Sequence, residues 1–328
     1  MLHPVTSNHL KLKDVWLEFV EYKRQTGKIC ETTYQTRYNR TFANWLKPYL
    51  EEQLSYELAE KILFDLLNRG VNKANLKKLI SALGEACNRA LNKGNINRNF
   101  FADLGENIKL TRKSNQLIDE EDYRAFSLQE RDIIIEAFRQ SEKQSEKRIA
   151  NLIEFLFITG CRLGEAFALK WSDIKSDWII FDESYYSETK ITKSTKNDTI
   201  RIFRTKGYER LNQLIDRLKA ESYKSSDYVF TTINGKQYDR FKLSALWLGI
   251  DKSKNGVEYY YPGVITRLVR GGRIQLYLKP SATRHTFITI QAHSGTDLKL
   301  LADSVGNSVD IIYNHYLGVN RNATIANI

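Results

Sequence analysis

"FITGCRLGEAFALKWSDI", residues 157–174, closes one pattern and opens another within a single short span. The apolar run "LIEFLFITG" ends at Gly160, Arg162 sits at a strand- or turn-to-helix junction, and a second helical stretch follows. Helices are expected at 148–159 and 163–170. Beyond them the pattern changes. "DWIIFDESYYS" and "TIRIFRT" are rich in β-branched and aromatic residues and predict strands, with "ETKITKSTKND" as the Lys- and Thr-rich hairpin tip between them. From 281 to 316 the chain reads as helical again. This second half, starting near "FSLQERDIIIEAFRQ", is an α+β pattern.

Upstream, residues 11–104 read as helices throughout. Val15, Trp16, Phe19 and Val20 recur at helical spacing, as do Tyr34, Tyr38, Phe42 and Trp45 until Pro48 interrupts them. "SYELAEKILFDLLNRG" and "NKANLKKLISALGEACNRALNKG" each close at a glycine. Four amphipathic helices with short connections predict an all-α domain over 1–108. "NIKLTRKSNQLIDEEDYRAF" is polar and aperiodic and carries Lys109, Arg112 and Lys113. It marks a basic linker over 109–122, with the second domain spanning 123–328.

The 328 residues carry a net charge of +11, which suits a polyanionic partner. The N-terminal residues lack an apolar signal segment, and the longest apolar runs are too short to span a bilayer. That favours nucleic acid over membrane and a cytoplasmic location. Cys30, Cys87 and Cys161 have no metal-like spacing and read as reduced. The five histidines form no zinc motif, and "GCRLGE" lacks the Gly-Lys-Ser/Thr ending of a phosphate loop. No ATP, metal or other cofactor is expected. Residues 1–118 carry 19 Lys and Arg against 12 Asp and Glu, leaving 31 against 27 for the rest. The smaller domain is thus the more basic per residue, and Arg37, Arg40, Lys77 and Lys78 lie off its apolar stripes as candidate phosphate contacts.

Arg162, the lysines Lys190, Lys193 and Lys196, Arg284 in "SATRHTFIT", and the tyrosines of "ADSVGNSVDIIYNHYLG" form one chemical set. Guanidinium forks can hold the non-bridging oxygens of a phosphodiester as its charge grows in the transition state. A tyrosine hydroxyl can attack phosphorus and divide one hard step into two. Its ordinary pKa near 10 must then be lowered by neighbouring cations. A mobile hairpin lysine can protonate the departing 5′-oxygen. Tyr313 and Tyr316, three apart, would share a helical face.

These motifs resemble the tyrosine recombinase (phage integrase) family. Its first box, Thr-Gly-x-Arg-x-x-Glu followed by Leu-x-Trp-x-Asp-Ile, corresponds to "TGCRLGEAFALKWSDI". The second, His-x-x-Arg-His-Thr-Phe, corresponds to "SATRHTF", and the third to "VGNSVDIIYNHY". The resemblance extends over about 10–318. It implies a mainly α fold with a small β-sheet: a helical core-binding (SAM-like) domain plus an α+β catalytic domain. Arg162 and Arg284 correspond to the catalytic arginines, and Lys193 in "TKS" best matches the hairpin lysine, with Lys190 and Lys196 as alternatives. Glu165 would orient Arg162 or its helix. The family nucleophile follows the third-box histidine position, here Asn307, by nine residues, which selects Tyr316 and leaves Tyr313 to packing. Two positions depart from the family: Ser281 and Asn307 stand where histidines are usual. Ser281 can hydrogen-bond but not act as an imidazole, Asn307 can still donate to a phosphate oxygen, and His285, in its usual family place, does not replace the loss.

The implied activity is site-specific DNA recombination through a 3′-phosphotyrosyl intermediate, by a homo-tetramer on two double-stranded DNA sites, with accessory DNA-bending proteins as a further partner class and the nucleoid as its place. The tail after Tyr316 would be able to dock on a neighbouring protomer. A separate arm-binding domain is not expected. The alternatives are a non-catalytic DNA-binding protein on this scaffold and a type IB topoisomerase-like nicking-closing enzyme.

Overall fold

The computed structural model describes residues 10–102, 104, 123–194, 200–222, 227–254 and 257–317, in two units, Met1–Gln116 and Leu117–Ile328. In the first, α1 (Leu12–Gln25) buries Leu12, Val15, Trp16, Phe19 and Val20. A second helix, α2, starts at Glu31–Thr33, runs through a π-helical stretch, Tyr34–Phe42, and the turn Ala43–Leu46, and tightens into a 3-10 turn, Lys47–Tyr49, at Pro48. The buried Tyr38 stacks on Trp16 with ring centroids 5.7 Å apart and meets Phe42 edge-on at 5.5 Å. This aromatic seam joins α1 to α2 and adds geometric specificity to the area it buries. The next two helices, α3 (Tyr56–Asn68) and α4 (Lys73–Asn92), open at Ser55 and Asn72, whose side chains accept from free N–H groups of the first turn. They close before Gly70 and Gly94, both in the left-handed region.

The second unit begins with α5 (Leu128–Arg139), fixed by reciprocal capping between Ser127 and Glu130. Helix α6 (Gln144–Thr159) is buried along nearly its whole length and is the centre of the core. It is followed by α7 (Leu163–Ala168). Strand β1 (Trp178–Phe181) pairs antiparallel with β4 (Arg201–Arg204), and β2 (Glu183–Tyr186) with β3 (Ile191–Ser194). The expected hairpin tip is therefore shorter than its sequence suggests. β-branched Ile191 and Thr192 favour extended backbone and pair with Tyr186 and Tyr185, so Lys193 lies on a strand. The turn holds Lys190, at φ 55. Lys196 lies outside the described residues.

Helices α8 (Glu209–Ser222), α9 (Arg240–Trp247) and α10 (Val264–Arg270) and the hairpin β5 (Gly249–Lys254)/β6 (Val257–Pro262) complete the middle of the unit. Then come α11 (Ala282–His293), α12 (Leu298–Val305), α13 (Val309–Ile312) and a π-helical turn, Tyr313–Leu317. Trp247 is fully buried, stacks on Phe138, and donates its indole N–H to the Leu278 carbonyl at 2.8 Å. Cys87 and Cys161 are buried and Cys30 is exposed. No helix among the described residues is long and apolar enough to cross a membrane.

Candidate active site

Arg162 is the N-cap of α7, in extended backbone directly after the turn at Gly160. Its backbone N–H donates to Glu165 Oε2 at 2.9 Å, and its Nη1 donates to Glu165 Oε1 at 3.0 Å. One carboxylate thus fixes both the helix start and the side chain. Arg162 Nη2 donates to the Gly306 carbonyl at 2.7 Å. Gly306 ends α12 in the left-handed conformation, at φ 68, and a Cβ there would lie 3.2 Å from Arg162 Nη1 and from Arg201 Cδ. Only glycine meets both conditions without strain.

Arg284, in the first turn of α11, donates through Nη1 to the Gly160 carbonyl at 2.8 Å and through Nη2 to Asn307 Oδ1 at 2.9 Å. Burial, with the nearby positive charge of Arg162, pulls Arg284 down to about 10, still protonated at neutral pH. Because a guanidinium only donates, the Asn307 oxygen must face it. The Asn307 amide nitrogen is then the group left to donate elsewhere.

Sequence spacing did not single out Arg201, yet it is buried at the centre of this network. It pairs with Glu165, donates to the Ser304 carbonyl, and lies 4.2 Å over the ring of Phe181. The available signal was the alternation in "IRIFRT". Ile200 and Ile202 face solvent, while Arg201, Phe203 and Thr205 face inward, the reverse of what hydrophobicity alone suggests. Burial opposes the charge on Glu165, but Arg201 and then Arg162 outweigh it and hold the carboxyl below its ordinary 4.5.

Lys193 stands directly across the β2–β3 hairpin from Ser184. A Cβ on Gly164, two residues beyond Arg162, would come within 2.4 Å of Ser184 Oγ. Directly opposed residues share one face of a pair, so the face carrying Lys193 is the one against the start of α7. Its Nζ lies 6.0 Å over the ring of Tyr186. Lys190 is exposed in the turn.

The two tyrosines behave differently from the expectation of a shared face. Tyr316 is 5% exposed and Tyr313 is 64% exposed, so Tyr313 does not pack. The π-helical turn that begins at Tyr313 advances each residue through a smaller angle than an α-helix, and three steps fall short of a full turn. Tyr316 Oη lies 2.8 Å from His285 Nδ1. Tyr123 meets both rings edge-on, at 5.2 and 5.3 Å, and stacks on His315 at 4.2 Å. The expected lowering of the nucleophile's pKa is not what the structure has. Burial pushes Tyr316 up to about 12 against the pull of Arg284. Ser281 is exposed at the N-cap of α11 and borders, with Arg124, Tyr277, Lys279 and His285, a cavity of about 250 Å³.

In the first unit Arg37, Arg40, Lys77 and Lys78 are exposed. Among the described residues none of the four is ion-paired, whereas Lys11 and Lys13 share Glu51, Lys23 meets Glu85, and Arg89 and Lys93 share Glu18. Lys109, Arg112 and Lys113, and the tail from 318, lie outside the described residues.

A helical unit followed by an α+β unit in which two arginines are tied to the loop before a buried C-terminal tyrosine is the plan of a tyrosine-type DNA strand-exchange enzyme. The phage integrase family matches residues 127–322, and the chain belongs to it, as a tyrosine-type site-specific DNA recombinase. It is 24% identical over 243 residues to tyrosine recombinase XerC of Pediococcus pentosaceus, covering 74% of this chain and 70% of that one. It is 23% identical over 274 residues to the Bacillus pumilus XerC, covering 78% and 74%. Its fold is similar to that of the Tn1549 transposon integrase in complex with transposon right-end DNA, at TM-score 0.72 and 14% identity over 94% of this chain and 96% of that one. A lambda integrase tetramer bound to a Holliday junction is similar at TM-score 0.55 and 14% identity, over 94% and 82%.

Proposed function

We propose that the chain cuts and rejoins double-stranded DNA through a 3′-phosphotyrosyl bond to Tyr316. Arg162 and Arg284 hold the non-bridging oxygens, Asn307 adds a neutral donor, and Lys193 protonates the leaving 5′-oxygen. The freed 5′-hydroxyl of one duplex then attacks the phosphotyrosine of another, so the bond energy is conserved without a nucleotide cofactor. The observation that carries this reading is the pair of arginine contacts to residues 306 and 307, which ties both guanidiniums to the segment leading into Tyr316. Residues 1–108 would serve as the core-binding domain, 109–122 as a basic linker and 123–328 as the catalytic domain. Two DNA sites held by a homo-tetramer, with accessory DNA-bending proteins, would complete the reaction at the nucleoid, in the service of a mobile element.

The test is a nicked suicide duplex, which traps the covalent adduct. The wild type should form it, and peptide mapping should find the nucleotide on Tyr316. No adduct would point to a non-catalytic DNA-binding protein, and nicking-closing without transfer between duplexes to a topoisomerase.

A further inference from the structure

We propose that His285 is the proton acceptor for Tyr316 and so, contrary to the expectation from sequence, does make good the imidazole that Ser281 lacks. This rests on the reading of Tyr316 as nucleophile. The hydroxyl of a buried phenol with its pKa pushed upward cannot attack as a standing phenolate. It must lose its proton as the bond to phosphorus forms, and the acceptor must lie within hydrogen-bond reach. His285 Nδ1 is 2.8 Å from Tyr316 Oη. Ser281 and His285 are four residues apart at the start of α11 and border the same cavity, so the imidazole stands one helical turn along from the position it is missing from. A hydroxyl at 281 accepts and donates hydrogen bonds but holds no extra proton at neutral pH.

The groups around the ring are mainly cations and aromatic rings. His285 lies in the first turns of α11, where the positive end of the helix dipole disfavours an imidazolium. Arg284 adjoins it in sequence, and Arg124 and Lys279 border the same cavity. Tyr123 packs edge-on against the imidazole, with His315 stacked behind Tyr123, and Tyr277 borders the cavity as well. In the tautomer protonated on Nε2, Nδ1 accepts from the phenol. On attack, the Tyr316 Oη–phosphorus bond forms, the phosphorus–O5′ bond breaks, the phenolic proton passes to His285 Nδ1, and Lys193 gives a proton to the 5′-oxygen. On rejoining, each proton returns along the same path.

The test uses the full chain on a suicide duplex, with His285→Gln and His285→Ala beside the wild type. Loss of a general base costs on the order of 10²–10⁴ in rate. His285→Gln should bind DNA as the wild type does, cleave slower by that factor, and lose the rise in rate with pH that titration of an imidazole base produces. Added imidazole should restore cleavage to His285→Ala. A 5′-bridging phosphorothiolate, whose leaving sulfur needs no proton, should rescue Lys193→Ala but not His285→Gln. If His285→Gln cleaves within a few fold of wild type with its pH rise intact, or if imidazole restores nothing to His285→Ala, the inference falls while a wild-type adduct mapped to Tyr316 keeps the nucleophile. If the wild-type adduct maps to another residue or never forms, both fall.

Discussion

A phenol as deeply buried as Tyr316 is not ionised at neutral pH. With its pKa pushed up to about 12 by burial, the phenolate fraction there is negligible, and the proposed attack would depend on contacts that exist as the bond to phosphorus forms. Tyr316→Phe removes only the oxygen that would be bonded, so DNA binding should persist and the adduct on a suicide duplex should vanish. Tyr313→Phe alters an exposed ring and should leave adduct yield unchanged. Loss of adduct in Tyr313→Phe with retention in Tyr316→Phe would exchange the two roles. Arg162→Ala and Arg284→Ala should each slow cleavage on the order of 10²–10³, the usual cost of one preorganised transition-state contact, and rates within a few fold of wild type would remove them from the site. The choice of Tyr316 over Tyr313 came from the family resemblance, through the nine-residue step from Asn307, and not from any residue pattern. The contact between Tyr316 and His285 was not legible in the sequence, since it joins two helices through side chains 31 residues apart. The exposure of Tyr313 was also hidden, because it follows from a local change of helix type that residue identities do not announce.

At the scale of elements, the site is a junction of α7, β4 and the loop after α12, closed by one carboxylate. Glu165 is buried between Arg162 and Arg201, and Arg201 also reaches Ser304. Removing one partner of a buried ion pair costs about 3–5 kcal/mol because the other charge stays behind unpaired. Arg201→Ala leaves Glu165 paired with Arg162 alone, so it should lower the thermal midpoint, by less than that full cost. A melting curve superimposable on the wild type would show the clamp to be idle. The same pair predicts an acid response. Glu165 has its folded pKa depressed below 4.5, so its stabilisation is complete above that value and is lost as pH falls through the folded pKa. Glu165→Gln should be less stable at neutral pH, and its deficit should shrink below pH 4.5. A deficit constant across that range would mean the charge plays no part. The amphipathic helices α1, α3 and α4 were legible from apolar spacing, and α3 and α4 from glycine stops as well. The clamp was not, because an arginine between two exposed isoleucines reverses the usual inside-out signal of a strand. Nor was the β5–β6 hairpin: Tyr259, Tyr260 and Tyr261 are all exposed, so no alternation marks it.

For the whole molecule the governing quantity is the charge of +11 and where it stays available. Much of the basic surface of the first unit is neutralised internally: Glu51, Glu85, Glu18 and Glu52 each engage lysine or arginine. Arg37 and Arg40 on α2 and Lys77 and Lys78 on α4 are exposed and have no such partner among the described residues. A phosphate can therefore engage them without first breaking an ion pair. Affinity for duplex DNA should fall linearly on a plot of log K against log salt, because each neutralised phosphate releases counterions with a slope near −0.9 per contact. Replacing all four residues by glutamine should weaken binding at low salt and make the slope shallower by about 3–4 if each meets a phosphate. It should leave the melting temperature near wild type, since exposed side chains without ion pairs contribute little to stability. A shift in affinity without a change of slope would mean that the substitutions disturbed the fold rather than phosphate contacts. An unchanged slope and affinity would move the DNA-binding face of the first unit away from α2 and α4, towards residues whose charges the carboxylates now hold.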